Sequence, residues 1–285
     1  MQLLSLRSSR LAVDLAPSAG GSIARFTAGD TVDVLRPASA EAIASGRGND
    51  TACYPLVPFS NRIANGRLVA GGKEIHLEPN WPGMRHPMHG DGWARSWEVE
   101  HHDARSADLA YAHDGLEGWP FRYRARQSFR LAEDRLVVGM AIENLENRAV
   151  PAGLGLHPFF TRDADTELAC RTRGVWRTDA EVLPLEHIAV PPEWDFTASR
   201  PVEGIALDNC FDGWDGHAMI TWPRRGLRLD LAASEPFRHL VIYVPKGRPF
   251  FCVEPVSHAS GAVGRSLLAA GATLAGEISL RLSNL

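Results

Sequence analysis

Cysteine is scarce in this sequence, and its few copies lie far apart. The four cysteines are Cys53, Cys170, Cys210 and Cys252, and no two of them form a CxxC pair. Zinc knuckles draw their cysteine ligands from such closely spaced pairs, so a structural zinc site is disfavoured. We expect free thiols, which suit a reducing cytoplasm.

The sequence also lacks an excess of positive charge and a long hydrophobic run. The formal net charge is −4 at pH 7, so no basic field is available to attract nucleic acid. Arg7 and Arg10 interrupt the N-terminal segment before the apolar part of a signal peptide could form. No stretch predicts a membrane span. We therefore expect a cytoplasmic protein that binds neither nucleic acid nor membrane.

Long helical periodicity and βαβ alternation are both missing, which disfavours a parallel α/β sheet. The chain has 285 residues, of which 45% are hydrophobic and 22% charged, an ordinary composition for a globular protein. All-β sandwiches often reach this length as one domain. Because no internal repeat or low-complexity linker divides the sequence, we predict a single domain over residues 1–285.

Alternation of apolar and polar residues, which is typical of half-buried strands, runs through most of the chain. Leu68–Leu77 is predicted to be a hairpin, since Gly71 and Gly72 can supply the positive φ angles of a tight turn. Ser39–Ser45 is the one short helix predicted. The further predicted strands are 10–15, 22–26, 31–35, 96–100, 108–112, 122–131, 136–144, 227–231, 239–244, 250–253 and 278–282. The pattern predicts an all-β fold of two packed antiparallel sheets.

Two long segments have little periodicity and are predicted to be loops. They are Glu78–Arg95 and Pro191–Gly216. Long loops in a compact domain are usually functional. Both segments contain tryptophan and charged residues, a mixture that suits the apolar faces and hydroxyl edges of a sugar.

Polar residues in the first third of the chain form a candidate binding site. Arg62 follows Asn61 in a polar, glycine-bearing connection, and its guanidinium offers a planar fork of donors for paired hydroxyls or a carboxylate. The alternative is an arginine that ties down its own loop. His86 and His89 form an HxxH pair, which is weak as a metal motif because no further ligand is nearby. His89 is otherwise a structural histidine or a ligand contact.

Two later segments add an imidazole and a carboxylate. His157 lies in a run of small and apolar residues, where a histidine is either structural or catalytic. Glu254 ends a predicted hydrophobic strand, and a carboxylate there is costly unless it is paired or functional. Its pairing alternative is a buried ion pair with a partner such as Arg62. Asp208 is a second candidate carboxylate, with an Asx turn or loop cap as its alternative.

Taken in order, these residues resemble the aldose 1-epimerases, also called galactose mutarotases. The resemblance rests on five segments spread over most of the chain, in the family's order. They are Asn61-Arg62-Ile63 with Gly66; His89-Gly90 with Gly92 and Trp97; Gly155-Leu156-His157-Pro158-Phe159; Asp208 with Phe211; and Val253-Glu254-Pro255.

The resemblance implies a large antiparallel β-sandwich with an open sugar-binding cleft. It implies that Glu254 is a general base and His157 a general acid in opening a sugar ring, without a metal or cofactor. The substrate-binding residues would be Arg62, His89, Asp208 and Asn61. The partner would be a small-molecule sugar, and the protein a monomer or a homodimer.

Three alternatives remain open beside this interpretation. A glycoside hydrolase could use Glu254 and Asp208 as its two carboxylates. A sugar-binding module without activity could share the fold. An epimerase could also act on a phosphorylated or sulfonated sugar, which would need further cations at the rim. Arg85, Arg95 and Lys246 are the candidates for such cations.

Overall fold

The computed structural model describes residues 2–81 and 83–285, and these residues form mostly short antiparallel strands. The first strands are β1 (Leu4–Arg7), β2 (Leu11–Ala16), β3 (Ser22–Ala28), β4 (Val32–Asp33), β5 (Cys53–Leu56), β6 (Arg67–Ala70), β7 (Lys73–His76) and β8 (Glu98–His102). Next come β9 (Ser106–His113), β10 (Tyr123–Leu131), β11 (Arg135–Asn144), β12 (Val150–Pro151), β13 (Gly155–Thr161), β14 (Glu167–Cys170), β15 (Gly174–Thr178) and β16 (Pro184–Ala189). The last are β17 (Arg200–Pro201), β18 (Leu207–Asp212), β19 (His217–Trp222), β20 (Leu227–Ala233), β21 (His239–Val244), β22 (Phe250–Val256), β23 (Leu267–Leu268) and β24 (Thr273–Asn284).

The strands assemble into two large sheets. The front sheet has the order β1-β2-β3-β5-β13-β22-β21-β18-β15-β16, with β4 paired to β3. The back sheet has the order β17-β14-β19-β20-β24-β11-β10-β9-β8, and β6-β7 and β12-β23 form separate pairs. One continuous core contains side chains of both sheets, such as Phe26 and Phe160 from the front and Phe129 and Leu280 from the back. The predicted all-β sandwich is therefore confirmed.

The back sheet has one buried face and one solvated face, as the alternation in its sequence predicts. In β10, Tyr123, Ala125 and Phe129 are buried, whereas Arg124 and Arg126 between them are exposed. The helical segments are short. Helix α1 is Ala40–Ala44, and 3₁₀ turns occupy Gly48–Asp50, Ala64–Gly66, Gly92–Ala94, Pro192–Trp194, Pro223–Arg225 and Val263–Arg265.

The central strands of the front sheet are buried on both faces. Every residue of β5 and β22, and all but the last of β13, is buried. Loops cover the outer face, which points away from the back sheet, and Trp93 of the 78–95 segment packs there in a second hydrophobic cluster. Because side chains alternate between faces, this covered outer face carries every second residue of each central strand.

Most local predictions are confirmed. Leu68–Leu77 contains the hairpin β6-β7, with Gly71 and Gly72 at positive φ. Helix α1 lies within Ser39–Ser45, and the Ser39 hydroxyl caps it by accepting from the Ala42 N–H. The segment Glu78–Arg95 is a loop with one 3₁₀ turn, apart from Pro82, which lies outside the described residues, as does Met1.

Two predictions, one of a loop and one of the end of a strand, have the wrong bounds. Pro191–Gly216 is not a loop throughout, because it contains β17 and β18, and Asp208 lies within β18 rather than at a turn or loop cap. Strand β18 is largely buried on both faces, and this removes the alternation that identifies half-buried strands. Strand β22 continues past Glu254 to Val256, with Pro255 inside the ladder. No helix in residues 2–81 and 83–285 is long and apolar enough to cross a membrane.

Candidate active site

A cavity of about 230 Å³ lies on the outer face of the front sheet. It is smaller than the pockets of drug-sized ligands, which span about 300–1,000 Å³, and it suits a single sugar ring. All six residues predicted from sequence to be catalytic or to bind the substrate line it, although they come from distant parts of the chain. They are Asn61, Arg62, His89, His157, Asp208 and Glu254.

Strand register explains how three of these residues meet. Gly155 is paired with Val256 and Phe159 with Cys252, so His157 of β13 faces Glu254 of β22 across the ladder. Directly opposed residues of an antiparallel pair have Cβ atoms about 4.5–5.5 Å apart. Asp208 lies on the same face two strands further on, in β18, beyond β21. The alternation of side chains therefore places the imidazole and both carboxylates on one surface.

His157 and Glu254 form a buried pair. The Nε2 atom of His157 lies 3.3 Å from Oε1 of Glu254, and both side chains are almost fully buried. Burial raises the pKa of Glu254 well above its usual value, Asp208 raises it further, and Arg62 opposes the shift. Burial lowers the pKa of His157 to about 3. In the absence of a ligand, both shifts favour an uncharged pair, in which Glu254 is protonated and the His157 imidazole is neutral.

His89 presents a hydrogen-bond donor to the cavity. Its Nδ1 atom accepts a hydrogen bond of 3.1 Å from the backbone N–H of Asn61, and the backbone N–H of His89 donates to the Asn61 carbonyl at 3.0 Å. Burial lowers the pKa of His89 well below its usual value, and His157 and Arg62 lower it further. A neutral imidazole whose Nδ1 is an acceptor carries its proton on Nε2. His89 can therefore donate from Nε2 to an oxygen of a ligand.

The backbone beside His89 is strained into the left-handed region. His89 has φ of 63° and Asn61 has φ of 60°, an uncommon conformation for residues other than glycine that concentrates at functional sites. Gly90 has φ of 68°, and a Cβ atom there would collide with the Val57 carbonyl. Only glycine fits this position, which joins the His89 loop to the end of β5 through the Val57–Gly90 bridge.

Arg62 faces Asp208 across the cavity mouth. Its Nη1 atom lies 4.0 Å from Oδ2 of Asp208. The Asn61 side-chain oxygen accepts from the backbone N–H of Arg62 at 2.8 Å and from its Nη1 at 3.4 Å. Asn61 thus orients Arg62 through its side chain and His89 through its backbone N–H. Burial raises the pKa of Asp208, and Arg62 opposes that shift. In the described residues the carboxylate within 4.0 Å of Arg62 is Asp208, so Glu254 is paired with His157 and not with Arg62, the partner suggested from sequence.

Aromatic rings surround the pair, and of these sequence reasoning had pointed only to the tryptophans of the Glu78–Arg95 loop. The His157 ring stacks on Tyr54 and on Phe159, with both centroid distances 4.6 Å. Trp81 lies with its ring centroid 6.3 Å from that of His89. Only the strand register would have identified Tyr54, since it is paired directly with His157. That pairing joins residues far apart in sequence and cannot be read from either segment alone.

The side chains at the pair also include three possible metal ligands. One ligand atom each from His157, Cys252 and Glu254 lies within 4.8 Å of the others. Burial raises the pKa of the Cys252 thiol well above its usual value, and Glu254 adds to this shift. Metal ligation needs the thiolate, so this environment opposes it. His86 and His89 are not part of a three-ligand group in the described residues.

A buried carboxylate anchors the loop that carries His89. Asp91 accepts hydrogen bonds from the hydroxyls of Tyr111 at 2.9 Å and Tyr123 at 2.5 Å. Nδ1 of His113 lies 2.9 Å from the same carboxylate, and its Nε2 lies 2.6 Å from the Trp119 carbonyl. Burial lowers the pKa of His113, but Asp91 and the Trp119 carbonyl outweigh it, so the pKa is raised. Sequence reasoning missed this cluster because it joins a loop to two back-sheet strands.

Comparison with known proteins agrees with this fold. The family model for aldose 1-epimerase matches residues 2–281, and the chain belongs to the aldose 1-epimerase family. The uncharacterized protein YphB of Escherichia coli K12 is 33% identical over 296 residues, covering 99% of each chain.

Solved structures share the fold along the full length. A crystal structure of a candidate aldose 1-epimerase from Escherichia coli K12 has a TM-score of 0.91 and 33% identity, covering 100% of this chain and 99% of that one. The galactose 1-epimerase of Lactobacillus acidophilus NCFM has a TM-score of 0.81 and 15% identity, covering 98% and 93% of the two chains. At the latter identity the likeness concerns the fold alone.

Proposed function

We propose that this protein is an aldose 1-epimerase that interconverts the α and β anomers of a hexose or related aldose. The observation that carries the proposal is the His157–Glu254 pair, 3.3 Å apart and buried in a cavity that fits one sugar ring. Membership of the family and the shared fold support the same reaction.

The chemistry follows from the structure of a cyclic aldose, which is a hemiacetal. Its ring opens when the hydroxyl on C1 loses a proton and the ring oxygen gains one. Glu254 would take the first proton and His157 would supply the second. Rotation about the C1–C2 bond then exposes the other face of the aldehyde, and the same transfers in reverse close the ring. Each general acid or base contributes roughly 10²–10⁴-fold to the rate.

The assigned roles need a carboxylate on Glu254 and an imidazolium on His157, whereas the protein alone favours the uncharged pair. Both forms hold the same number of protons, so no proton must enter or leave the cavity. Arg62 lowers the pKa of Glu254, and sugar hydroxyls that donate to the carboxylate would act in the same direction. Substrate binding would therefore favour the ionised, reactive form.

The remaining residues would hold the sugar. His89 would donate from Nε2 to the ring oxygen or to a neighbouring hydroxyl. Arg62 and Asp208 face each other at 4.0 Å and together offer donors and acceptors to a pair of hydroxyls. Trp81 lines the same cavity and supplies an apolar surface for a sugar face.

The test is anomer exchange in purified variants. Glu254→Gln and His157→Asn should each lower the catalysed rate by at least about 10²-fold, because each removes one proton transfer. Polarimetry with freshly dissolved α-glucose and α-galactose measures the rate, and circular dichroism checks the fold. His86→Asn is the matched control, since His86 is a buried histidine in the loop that carries His89 but does not line the cavity. Full rates in both pair variants would contradict the assignment.

An aryl-glycoside assay beside the mutarotation assay separates the other two interpretations. Glycoside hydrolysis uses two carboxyl groups, whereas Glu254 is paired here with an imidazole, which favours epimerisation. Release of reducing sugar from an aryl glycoside would support the hydrolase. A sugar-binding module would bind an aldose without accelerating its mutarotation.

A further inference from the structure

Two arginines line the cavity but have no part in the proposed proton transfers. They are Arg36 and Arg248. The Arg36 guanidinium lies over the Phe159 ring, with its Cζ atom 4.0 Å from the centroid, and 4.7 Å from the Phe250 centroid. One of its five N–H donors bonds to the Thr51 carbonyl at 2.9 Å. Stacking thus fixes this cation at the cavity wall.

The positive charge of these two arginines is poorly compensated. Within residues 2–81 and 83–285, neither guanidinium lies within 4.0 Å of a carboxylate, in contrast to Arg62, which has Asp208. Asp50 also lines the cavity and attracts Arg36. Burial lowers the pKa of Arg36, and Arg248 lowers it further, so the two cations are close enough to repel each other. Asp50 is thus the carboxylate that attracts Arg36, and neither arginine has an ion-pair partner within 4.0 Å among the described residues.

We propose that the cavity takes an aldose that carries an oxyanion substituent, a carboxylate or a phosphate, and that Arg36 and Arg248 bind that group. The proposal rests on the proposed function, because it assigns a substrate class to the same site. Arginine forks match the oxygens of carboxylate and phosphate and form short, charge-assisted hydrogen bonds with them.

The positions of the arginines agree with one ring bound across the cavity. The Phe159 ring contacts both groups: it stacks on His157, with 4.6 Å between centroids, and the Arg36 Cζ atom lies 4.0 Å from its centroid. One aromatic ring thus links Arg36 to the catalytic pair. An aldose with its anomeric carbon at His157 and Glu254 would direct its exocyclic substituent towards Arg36 and Arg248.

The rim cations considered from sequence do not serve this purpose. Arg85 lies 3.7 Å from Glu181, and Arg95 lies 3.2 Å from Glu117. Neither of them, nor Lys246, is among the described residues that line the cavity. Arg36 and Arg248 were missed because they lie in connections between strands, and only the folded sheet brings them together.

The test compares anionic with neutral sugars. Saturation-transfer NMR between the anomeric protons measures kcat/KM for galactose, galacturonate and galactose 6-phosphate, so that the two oxyanions are assayed separately. Arg248→Ala is the main variant, because this side chain is exposed and its loss should not unfold the protein. Arg36→Gln is the second variant. Lys246→Ala removes an exposed positive charge two residues from Arg248 without altering the cavity lining.

We expect at least one anionic aldose to be a better substrate than galactose. Arg248→Ala should lower the ratio of anionic to neutral kcat/KM by about 10-fold, the scale of one lost charge-assisted hydrogen bond. Lys246→Ala should leave that ratio within about 2-fold, since a solvated surface charge has little effect. The preference should also weaken with added salt.

Two outcomes would overturn the proposal separately from the proposed function. If galactose is accelerated as well as both anions, or the ratio is the same in Arg248→Ala, the oxyanion site is wrong and the epimerase stands. If no aldose is accelerated, the proposed function fails, and calorimetric binding decides the oxyanion site. Equal affinities of wild type and Arg248→Ala for both anionic sugars would then refute it.

Discussion

Asp91 offers the sharpest test of how the His89 loop is held in place. Its carboxylate is the shared acceptor for Tyr111, Tyr123 and His113, at 2.9, 2.5 and 2.9 Å. Replacing Asp91 with alanine would leave three donors facing a cavity, two of them on almost fully buried residues, Tyr123 and His113. Each hydrogen bond to a charged group contributes about 1.5–3 kcal/mol, and such contributions are not additive within one cluster.

We therefore expect Asp91→Ala to lower the free energy of unfolding by about 3–5 kcal/mol, as when one partner of a buried ion pair is removed. Urea denaturation followed by tryptophan fluorescence measures this loss. Asp103→Ala is the matched control, because Asp103 also accepts several hydrogen bonds, from Arg105 and Ser106, but is exposed. Its replacement should cost much less.

The cost of Asp91→Ala should also depend on pH. The pKa of His113 is raised in the folded state, so its contribution is fully present below the unfolded-state pKa of about 6.5. That contribution is lost as the pH rises through the folded-state pKa. The difference between wild type and Asp91→Ala should thus be larger at pH 6 than at pH 9. A loss no greater than that of Asp103→Ala, or a pH-independent difference, would refute the reasoning.

Two further predictions concern the same side of the molecule. Gly90→Ala should destabilise the protein by more than about 1 kcal/mol, because it combines positive φ with a collision at the Val57 carbonyl; Gly71→Ala, with open space around it, should cost less in the same denaturation assay. The value of kcat/KM should stay level between about pH 3, the pKa of His157, and the raised pKa of Glu254, because the His157–Glu254 pair keeps the same net charge over that range. A limb near pH 6.5, the ordinary histidine value, would count against the buried pair.

Sequence alone was sufficient to single out His157 and Glu254 as candidates and to identify six of the nine back-sheet strands; β14, β17 and β19 were not predicted. Glu254 was identified because a carboxylate inside an apolar strand has few explanations, and β10 was identified because one of its faces is solvated. Strand β18 escaped prediction because burial on both faces removes its alternation. Whether Asp208 faces Arg62 depends on how β18 pairs with β21, and strand pairing is not encoded in either segment alone.

The contacts missed from sequence share one physical property. Arg36 reaches its position by stacking on Phe159, and Asp91 by binding Tyr111 and Tyr123. Each contact joins segments whose separation is set by the whole sheet rather than by local propensity. Patterns of residues predict strands well, but they do not fix which strands become neighbours.

The pairing of β13 with β22, which places His157 opposite Glu254, also has a consequence for folding. The two residues lie on adjacent strands although they are far apart in the chain, and Tyr54 on the other side of His157 is further still. Contacts of such long sequence separation form late and slowly, because the closure of large loops precedes them. Catalysis should therefore return only with the last step of refolding. Recovery of the proposed mutarotase activity after dilution from denaturant would report completion of the front sheet, whereas early fluorescence changes would report hydrophobic collapse.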